Sequence, residues 1–441
     1  MTTIDEAAVE RDGGPVAAIP HGSRRIPIRS VAGWVLYDLA NTIFSLNIVS
    51  LYFSLWVVNV MGGGDAVYAF ANSLSMAMIF FASPLLGALT DQSPRRMPFL
   101  VVSTLLCVGL TLLLGQGGLL PSLVLFAIAN IAYQAGLQFY DALLPEVSTE
   151  ENRGRVGGIG VGVGYFGSVV GIGVGSIVLR GVGTLPMAEQ SARYVTVFQA
   201  TAALFLLFAL PCFVFVRERP RPDRRFTLAS VEAAVRQVGT TLRSMGRYPD
   251  LRRFLIGRVF YTDAINTVIV FMGVYVTNEV GFTPGQAQLV LLVAILFAVA
   301  GGFLWGRVVD RIGPKRSLDL VLFLWVVVFV WAAVVGLLRL PGVLFWPVPG
   351  LAGIALGGTW TADRPYMLRL TPPDRIGEFY GLYGMVGRFA AITGPALWAL
   401  VADVLGLGRP IAVLTLLAGI VAGYVILRPV ADARRDWQTT S

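Results

Sequence analysis

The chain has 441 residues, of which 56% are hydrophobic and 14% are charged, and its mean hydropathy is +0.72. This composition excludes an ordinary soluble protein and indicates a polytopic membrane protein. The formal charge of +8 would suggest a nucleic-acid partner for a soluble chain. Here we expect no nucleic acid, because the position of the charges relative to membrane spans is the better guide.

The first segment, residues 1–30, is polar and has no short apolar core with a small-residue cleavage site. We therefore expect a disordered cytoplasmic tail and no signal peptide. The tail holds the only histidine, His21, so no histidine is expected to relay protons or bind metal within the membrane. Both cysteines, Cys107 and Cys212, fall inside apolar runs, which argues against disulfides and thiolate metal sites. We expect no metal and no cofactor.

Apolar segments of about 20 residues predict transmembrane helices, and they recur along the rest of the chain. Twelve such spans predict an all-α membrane protein: 31–59, 66–90, 97–116, 120–143, 154–180, 194–216, 254–278, 284–309, 317–338, 343–369, 376–404 and 410–429. The basic segment 217–253 divides them six and six, and its middle, 228–245, is predicted to form a surface helix. The domains are then the tail 1–30, a bundle at 31–216, the linker 217–253, a bundle at 254–430 and a tail at 431–441.

Arginine and lysine residues concentrate on one side of the predicted spans. That side holds both tails, the linker and the loops after spans 2, 4, 8 and 10, whereas the opposite loops hold only Arg180, Arg193, Arg339 and Arg409. The positive-inside rule places both termini in the cytoplasm, and we expect the cytoplasmic membrane of a bacterium. The linker is then basic because of its cytoplasmic position, with lipid binding or regulation as the alternative.

The two halves of the chain repeat. The repeated pairs are Asp38 with Asp263, Asp91 with Asp310, Asp141 with Asp363, and Arg153 with Arg375. The pairs keep their order at a nearly constant offset, which indicates a duplicated six-helix unit. Because each unit has an even number of spans, the two copies have the same orientation in the membrane.

The loop after span 8 resembles the G-x-x-x-D-(R/K)-x-G-(R/K)-(R/K) loop of the major facilitator superfamily. The matching residues are Gly306, Asp310, Arg311, Gly313, Lys315 and Arg316. In the copy after span 2, Gln92 replaces the basic residue and Ser93-Pro94 replaces the glycine. The resemblance implies two pseudo-symmetric six-helix bundles around a central cavity lined by spans 1, 4, 7 and 10.

Span 1 carries a narrower resemblance. Its W-x-x-Y-D-x-A-N-(S/T)-x-F pattern consists of Trp34, Tyr37, Asp38, Ala40, Asn41, Thr42 and Phe44. It is similar to the first span of the vacuole-effluxer family. Fungal members of that family are autophagy-associated vacuolar amino-acid exporters, and many bacterial members are called "unknown major facilitators". The resemblance suggests the family and leaves the substrate open.

A carboxylate at the centre of a membrane helix costs roughly 2.5–3.5 kcal/mol, and Asp38 lies two turns inside span 1. Because burial favours the neutral form of a carboxyl group, Asp38 or its repeat Asp263 could bind and release a proton. Either could instead bind a substrate ammonium. The alternative is a structural acid bonded to Tyr37, Asn41 or a neighbouring helix.

Arg388 lies near the middle of span 11 and needs an internal anion, either Asp38, Asp263 or a substrate carboxylate. The candidate substrate and proton residues are Asp38, Asn41, Asp263, Asn266, Arg388, Tyr37, Gln134 and Gln138. Gln134 and Gln138 belong to a polar stripe on span 4 that should face protein or water.

A second set of charged residues lies near the cytoplasmic ends of the spans and predicts a gate that closes that face. Its members are Asp91, Arg95, Arg96, Asp141, Glu146, Arg153, Asp310, Arg311, Lys315, Arg316, Asp363 and Arg364. Asp91 and Asp310 are expected near helix N-termini of the opposite half, where the dipole favours an anion.

The other gate residues are expected to form ion pairs. We expect Asp141 to pair with Arg95 or Arg96. Asp363 is expected to pair with Lys315, Arg316 or Arg364, and Glu146 with Arg153. Arg258, one turn into span 7, is expected to extend to the cytoplasm as a structural residue. The dense glycines of span 5, 157–175, favour close helix packing or a moving interface.

These features predict a secondary active transporter that works by alternating access. The sequence has no P-loop, so a proton gradient is the expected energy source and an amino acid or other zwitterion the expected solute. One alternative is a proton-coupled exporter of amphipathic drugs, with an aromatic lining of Trp34, Tyr133, Tyr165, Trp360 and Tyr383. Another is a non-transporting sensor or a lipid scramblase. No nucleophile–base arrangement supports an enzyme, and we expect a monomer in contact with membrane lipid.

Overall fold

The computed structural model describes residues 26–221, 228–243 and 245–430. Most of both predicted tails, residues 1–25 and 431–441, and positions 222–227 of the linker therefore lie outside the described residues. Among the described residues the structure is helical and contains no strand. Within the described ranges twelve long helices follow one another, and each coincides with one predicted span.

The six helices of the N-terminal half are α1 (Ile28–Val60), α2 (Gly64–Asp91), α3 (Met97–Leu112), α4 (Leu119–Asp141), α5 (Arg153–Val178) and α6 (Met187–Phe215). Those of the C-terminal half are α7 (Pro249–Asn278), α8 (Pro284–Ile312), α9 (Pro314–Leu337), α10 (Pro347–Leu370), α11 (Ile376–Ala399) and α12 (Arg409–Leu427). Between the halves, the linker helix spans Leu228–Arg243.

Eleven of these helices are long and apolar enough to cross a membrane among the described residues, and α3 is a shorter apolar helix of 16 residues. At 1.5 Å per residue α3 is about 24 Å long, close to the thickness of the hydrocarbon core. The predicted all-α fold of twelve membrane helices is confirmed. The chain is therefore a multi-pass integral membrane protein.

Local sequence signals mark where helices begin and end. α8 begins with a capping box, in which the Thr283 hydroxyl accepts a bond from the Gln286 backbone amide and the Gln286 side chain accepts one from the Thr283 amide. α8 ends at Gly313, whose φ of +90° lies in a region that side chains rarely adopt. α9 then starts at Pro314, a residue suited to a first helical turn.

Each half has its own apolar core. Trp34, Phe53 and Phe126 lie among the fully buried residues of the N-terminal half. Trp325 and Tyr275 lie among those of the C-terminal half. Apolar side chains are thus buried within each six-helix bundle.

The two halves meet along two helix crossings, α5 with α8 and α2 with α11. At the first crossing, a Cβ on Gly158 would collide with the carbonyl oxygen of Gly302. At the second, a Cβ on Gly87 would collide with the carbonyl oxygen of Gly377. Glycine is required at these positions because backbone meets backbone across the interface. Some glycines of predicted span 5, such as Gly158, thus serve close packing between the halves, whereas others pack against α1 of the same half.

These crossings bring the halves together at one end of the bundle, where α1 begins and α12 ends. We call this end the terminal face. α2 and α8 finish there, and α5 and α11 start there.

The first helix is not uniform along its length. Residues Ile28–Phe44 are α-helical, whereas Ser45–Leu51 and Trp56–Val60 are π-helical. π-helical turns often accompany functional positions. Here they begin directly after the α-helical part that carries Asp38 and Asn41, so α1 changes its winding beside the central cavity.

Candidate functional site: a polar cavity between two halves

A cavity of about 420 Å³ lies between the halves. Residues of α1, α4, α5, α7, α10 and α11 line it, together with Met76 of α2. The predicted residues that line it are Asp38, Asn41, Gln134, Gln138, Asn266 and Arg388, with Asp141 and Arg364 from the predicted gate. A volume of this size is within the range of small-molecule sites.

The cavity has a charged floor that joins the two halves. Arg364 on α10 donates from Nη1 to Asp38 Oδ2 on α1 at 3.2 Å, and its Nε lies 3.2 Å from Asp141 Oδ1 on α4. All three side chains are almost completely buried. One guanidinium therefore bridges two carboxylates of the opposite half, and we call Asp38, Arg364 and Asp141 the ion triad. When all three groups are ionised the ion triad carries one net negative charge.

A second ion pair stands beside the ion triad within the C-terminal half. Arg258 Nε donates to Asp363 Oδ2 at 3.0 Å, and both side chains are buried. Asp363 also accepts hydrogen bonds from the hydroxyls of Tyr261, at 2.7 Å, and Tyr383, at 2.9 Å. The expectation that Arg258 extends to the cytoplasm is wrong, because its guanidinium is held inside and lines the cavity.

Arg388 enters the cavity from α11 and contacts the other half. Its Nη2 donates to the Gln134 carbonyl oxygen at 2.9 Å, and its Nη1 donates to the Ser83 hydroxyl. Within the described residues Arg388 forms no ion pair. Of the three predicted partners, Asp38 and Asp263 are therefore wrong, and a substrate carboxylate stays a prediction. Arg388 lines the cavity.

Two predicted residues lie elsewhere. Tyr37 points into the N-terminal half, where its hydroxyl is 2.6 Å from that of Thr104. Asp263 is outside the cavity lining and accepts a 2.6 Å hydrogen bond from Thr393 within its own half. The prediction that Asp38 and Asp263 share one cavity is therefore wrong. On α7 the cavity-facing positions are Arg258, Thr262 and Asn266. Asn266 is the repeat equivalent of Asn41, whereas Thr262, one residue before Asp263, faces the cavity in place of that acid.

The aromatic lining is present in part. Tyr133, Tyr165, Trp360 and Tyr383 line the cavity. Trp34 does not, because it is fully buried and stacks on Tyr140 with ring centroids 4.6 Å apart.

At the terminal face, Asp91 connects α2 to the other half. Its Oδ1 accepts from the Gly377 backbone amide at 2.9 Å and its Oδ2 from that of Glu378 at 2.8 Å, at the start of α11. Arg96 of the same half donates to Asp91 at 2.8 Å. The carboxylate thus caps a helix N-terminus across the interface, which the helix dipole favours.

Asp310 makes the repeat-related contact. Its Oδ1 accepts from the Gly154 backbone amide at 2.7 Å, and its Oδ2 accepts from the Arg155 amide at 3.2 Å and from Arg155 Nε at 2.9 Å. Both aspartates therefore cap the first turn of a helix in the opposite half, α11 for Asp91 and α5 for Asp310. This is the position that the repeat pattern predicted for them.

Several predicted pairings at this face are wrong. Asp141 pairs with Arg364 instead of Arg95 or Arg96, and Asp363 pairs with Arg258 instead of Lys315, Arg316 or Arg364. Lys315 binds Asp319 on its own helix, at 2.5 and 2.6 Å. Of the remaining predicted gate residues, Arg95, Arg311 and Arg316 are exposed, Glu146 lies 3.5 Å from Arg219, and Arg153 is half-buried at the start of α5.

The linker also contacts this face. Gln237 of the linker helix accepts a 2.6 Å hydrogen bond from Gln92 of α2 and donates a 2.7 Å bond to Glu378 of α11. Glu218, at the start of the linker, accepts bonds from the backbone amides of Arg96 and Met97, at 2.5 and 2.8 Å. Gln92 is the residue that departs from the superfamily loop pattern, and here it binds the linker.

Sequence reasoning missed Thr262, Glu218 and Gln237. A usable signal existed for Thr262 alone, because it lies four residues before Asn266 and therefore on the same helical face. The linker contacts gave no signal, since isolated polar residues in a basic segment do not reveal their partners.

Comparison with known proteins supports this architecture. The family model described as "Vacuole effluxer Atg22 like" matches residues 64–438. An uncharacterized MFS-type transporter of Bacillus subtilis, YxiO, is 26% identical over 409 residues, which covers 89% of this chain and 93% of that protein. Autophagy-related protein 22-1 of Aspergillus niger is 25% identical over 287 residues, covering 58% of this chain and 45% of that protein.

Solved structures share the fold. The fucose:proton symporter FucP of E. coli matches with a TM-score of 0.69 and 13% identity, covering 92% of this chain and 98% of that chain. A bacterial homologue of the iron transporter ferroportin, in its outward-facing state, matches with a TM-score of 0.66 and 16% identity. The match covers 92% of this chain and 99% of that chain. The major facilitator fold and a transport function follow from the family and the fold together. The chain belongs to the Atg22-like vacuole effluxer family, within the major facilitator type of transporter.

Proposed function

We propose that the protein is a secondary active transporter that carries a small zwitterion, best an amino acid, through the cavity by alternating access. The observation that carries the proposal is the cavity of about 420 Å³, which the N-terminal half lines with carboxylates and the C-terminal half with guanidinium groups. Its floor holds carboxylates, and Arg388 supplies a guanidinium that no carboxylate neutralises within the described residues. A solute with two opposite charges matches such a wall better than an apolar one.

Membership of the Atg22-like family supports solute transport, since the family is described as a vacuole effluxer. In this proposal Arg388 binds the substrate carboxylate. Its guanidinium is held by the Ser83 hydroxyl and the Gln134 carbonyl, which orient it and leave its charge unpaired. The planar fork of arginine suits a carboxylate in two-bond geometry.

Proton coupling is proposed to act through the ion triad. Protonation of Asp38 or Asp141 would remove one of the two charges that hold Arg364 of the opposite half. The bridge between halves would then weaken, which favours movement. The fold resemblance to a fucose:proton symporter is consistent with this type of energy source.

The gate is proposed to be the set of contacts at the terminal face. Asp91 and Asp310 hold helix N-termini of the opposite half, and Gln237 of the linker helix connects Gln92 with Glu378. These bonds exist only while the halves are close, so they stabilise the arrangement described here. Separation of the halves at this face would break them together and open the cavity on that side.

The orientation proposed from the positive-inside rule places both termini in the cytoplasm of a bacterium. The terminal face is then cytoplasmic, and the arrangement with that face closed is the outward-facing one. The protein is proposed to act as a monomer in the lipid bilayer, because a six-plus-six bundle already encloses the cavity within one chain.

The proposal is tested with purified protein in two steps. A thermal-shift panel of the twenty L-amino acids, with hydrophobic cations alongside, identifies a binder. Flux of the best amino acid into proteoliposomes is then measured with and without an imposed pH gradient. Gradient-dependent accumulation supports the proposal, and absence of any flux for every panel compound contradicts it.

A second candidate is a proton-coupled exporter of amphipathic drugs. Four aromatic rings line the cavity, from Tyr133, Tyr165, Trp360 and Tyr383, and such faces bind organic cations. Competition of hydrophobic cations against amino acids in the same flux assay separates the two candidates.

A further inference from the structure

Five polar side chains of the cavity wall are buried with at least one atom that forms no hydrogen bond among the described residues. They are Asn41 with Nδ2 and Oδ1, Gln138 with Oε1, Thr262 with Oγ1, Arg388 with Nε, and Asp141 with Oδ1, whose contact with Arg364 is the ion pair of the ion triad. Asn41 and Gln138 are 2% and 4% exposed. Buried polar atoms nearly always have a partner, and these belong to the wall of a cavity that can hold a solute.

Asn41 and Gln138 form a layer directly next to the ion triad. Asn41 follows Asp38 by three residues on α1, and Gln138 precedes Asp141 by three residues on α4, so each amide lies about one helical turn from a carboxylate. Because α1 and α4 run in opposite directions, both amides lie on the side of the ion triad away from the terminal face. The Gln138 amide is oriented by its Nε2, which donates to the Ser83 carbonyl oxygen at 2.9 Å.

The carboxylates below this layer are already engaged. Arg364 lies 3.2 Å from Asp38 and 3.2 Å from Asp141. A substrate ammonium could bind either carboxylate only in competition with this guanidinium. The amide oxygens of Asn41 and Gln138 have no such competitor, and neutral oxygens are good acceptors for a charged donor in a poorly solvated site.

We propose that the substrate's ammonium group binds the neutral amide oxygens of Asn41 and Gln138, in the layer above the ion triad, and not a carboxylate. This inference rests on the proposed function and makes these two amides the residues that select solutes with N–H donors. Arg388 completes the site, since its Nη2 binds the backbone of Gln134, one turn from Gln138. An α-amino acid carries its ammonium and carboxylate on one carbon atom, which matches binding groups on neighbouring turns.

The assignment separates recognition from coupling. The ion triad remains intact while the substrate is bound, so its protonation can move the halves without first releasing the ammonium. If a carboxylate held the ammonium instead, substrate and proton would compete for one group.

The test is calorimetric titration of the full chain in detergent. The probes are L-leucine, its 2-hydroxy acid and 3-methylbutylamine, with the matching alanine and glutamine series. We expect an amino acid to bind at least tenfold more tightly than its hydroxy acid. Asn41→Ala and Gln138→Ala should each weaken amino-acid binding by about tenfold or more, the usual effect of losing a hydrogen bond to a charged group, and should remove the preference over the hydroxy acid.

Two further variants separate recognition from damage to the fold. Asn47→Ala is the matched control, because Asn47 is buried on the same helix, donates to Thr201 at 2.9 Å and lies outside the cavity lining. The affinity of the Asn47→Ala variant for the amino acid should equal that of the parent protein. Asn41→Asp keeps an acceptor oxygen and should keep the preference for the amino acid over the hydroxy acid.

The outcomes are distinguishable. Unchanged amino-acid affinity in both Asn41→Ala and Gln138→Ala overturns this inference and leaves the proposed function standing. Loss of the preference in Asn41→Asp also overturns it, since the amide would then act as a donor to the substrate. Binding by none of the amino acids contradicts the proposed substrate class and, with it, this inference.

Discussion

The carboxylate of Asp91 allows a quantitative prediction about how the two halves move. It accepts hydrogen bonds from the backbone amides of Gly377 and Glu378, at 2.9 and 2.8 Å, and both donors belong to the opposite half. When the halves separate at the terminal face these two bonds break, whereas Arg96, in the same half, can stay with the carboxylate. Asp91→Ala therefore raises the free energy of the closed arrangement, in which these bonds form, relative to that of the open arrangement.

The size of the effect follows from the geometry. Loss of a side-chain cap at a helix N-terminus costs up to about 2 kcal/mol, and a buried carboxylate with two amide donors belongs at the upper end of that range. A change of about 2 kcal/mol alters a two-state equilibrium about 30-fold. We expect Asp91→Ala to shift the population by this factor toward the arrangement that is open at the terminal face. Asp310→Ala should act in the same direction, because its contacts are repeat-related.

The assay is electron–electron double resonance between spin labels at Arg95→Cys and Arg316→Cys. Both positions are exposed, at the terminal face and on opposite halves, and the two native cysteines are buried. The distance distribution should gain a longer component in Asp91→Ala. The control is Asp374→Ala, which removes an exposed carboxylate at the same face. An Asp91→Ala distribution that matches the parent, in folded protein, would refute the reasoning.

Three further predictions use the same labels or the transport assay. Gln237→Ala removes both hydrogen bonds of the Gln237 side chain and should lengthen the label distance, whereas Arg236→Ala, whose partner is on its own helix, should not. Gly158→Val puts a side chain against the Gly302 carbonyl and should eliminate the shorter component of the distance distribution between the two spin labels. If that shorter component persists, the crossing of α5 and α8 is not a contact of the closed state. Arg388→Lys keeps the charge and loses the planar fork, so KM for an amino acid should rise about tenfold or more; an unchanged KM would argue against carboxylate binding.

The twelve helices could be predicted because the requirement for apolar residues is imposed by the membrane and is independent of packing partners. The capping aspartates could be predicted as well. Asp91 and Asp310 recur at equivalent places in the two halves, and the dipole at a helix N-terminus favours a carboxylate.

The partners of the buried charges could not be predicted, because they depend on how each helix is rotated about its axis. Asp38 and Asp263 are equivalent in the repeat, yet Asp38 faces the cavity and Asp263 binds Thr393 within its own half. A difference of one residue in the facing position is 100° of helix rotation, which hydropathy does not resolve. The same uncertainty placed Arg364 among gate residues, although it binds Asp38 and Asp141 at the cavity floor.

The central claim is that protonation of the ion triad drives solute movement, and one flux measurement tests it most directly. Proteoliposomes with the parent protein should accumulate the amino acid selected by the thermal-shift panel when a pH gradient is imposed. Asp38→Asn should exchange that amino acid across the membrane without accumulating it, because the triad then lacks one titratable group. Gradient-driven accumulation by Asp38→Asn at the level of the parent would contradict the account.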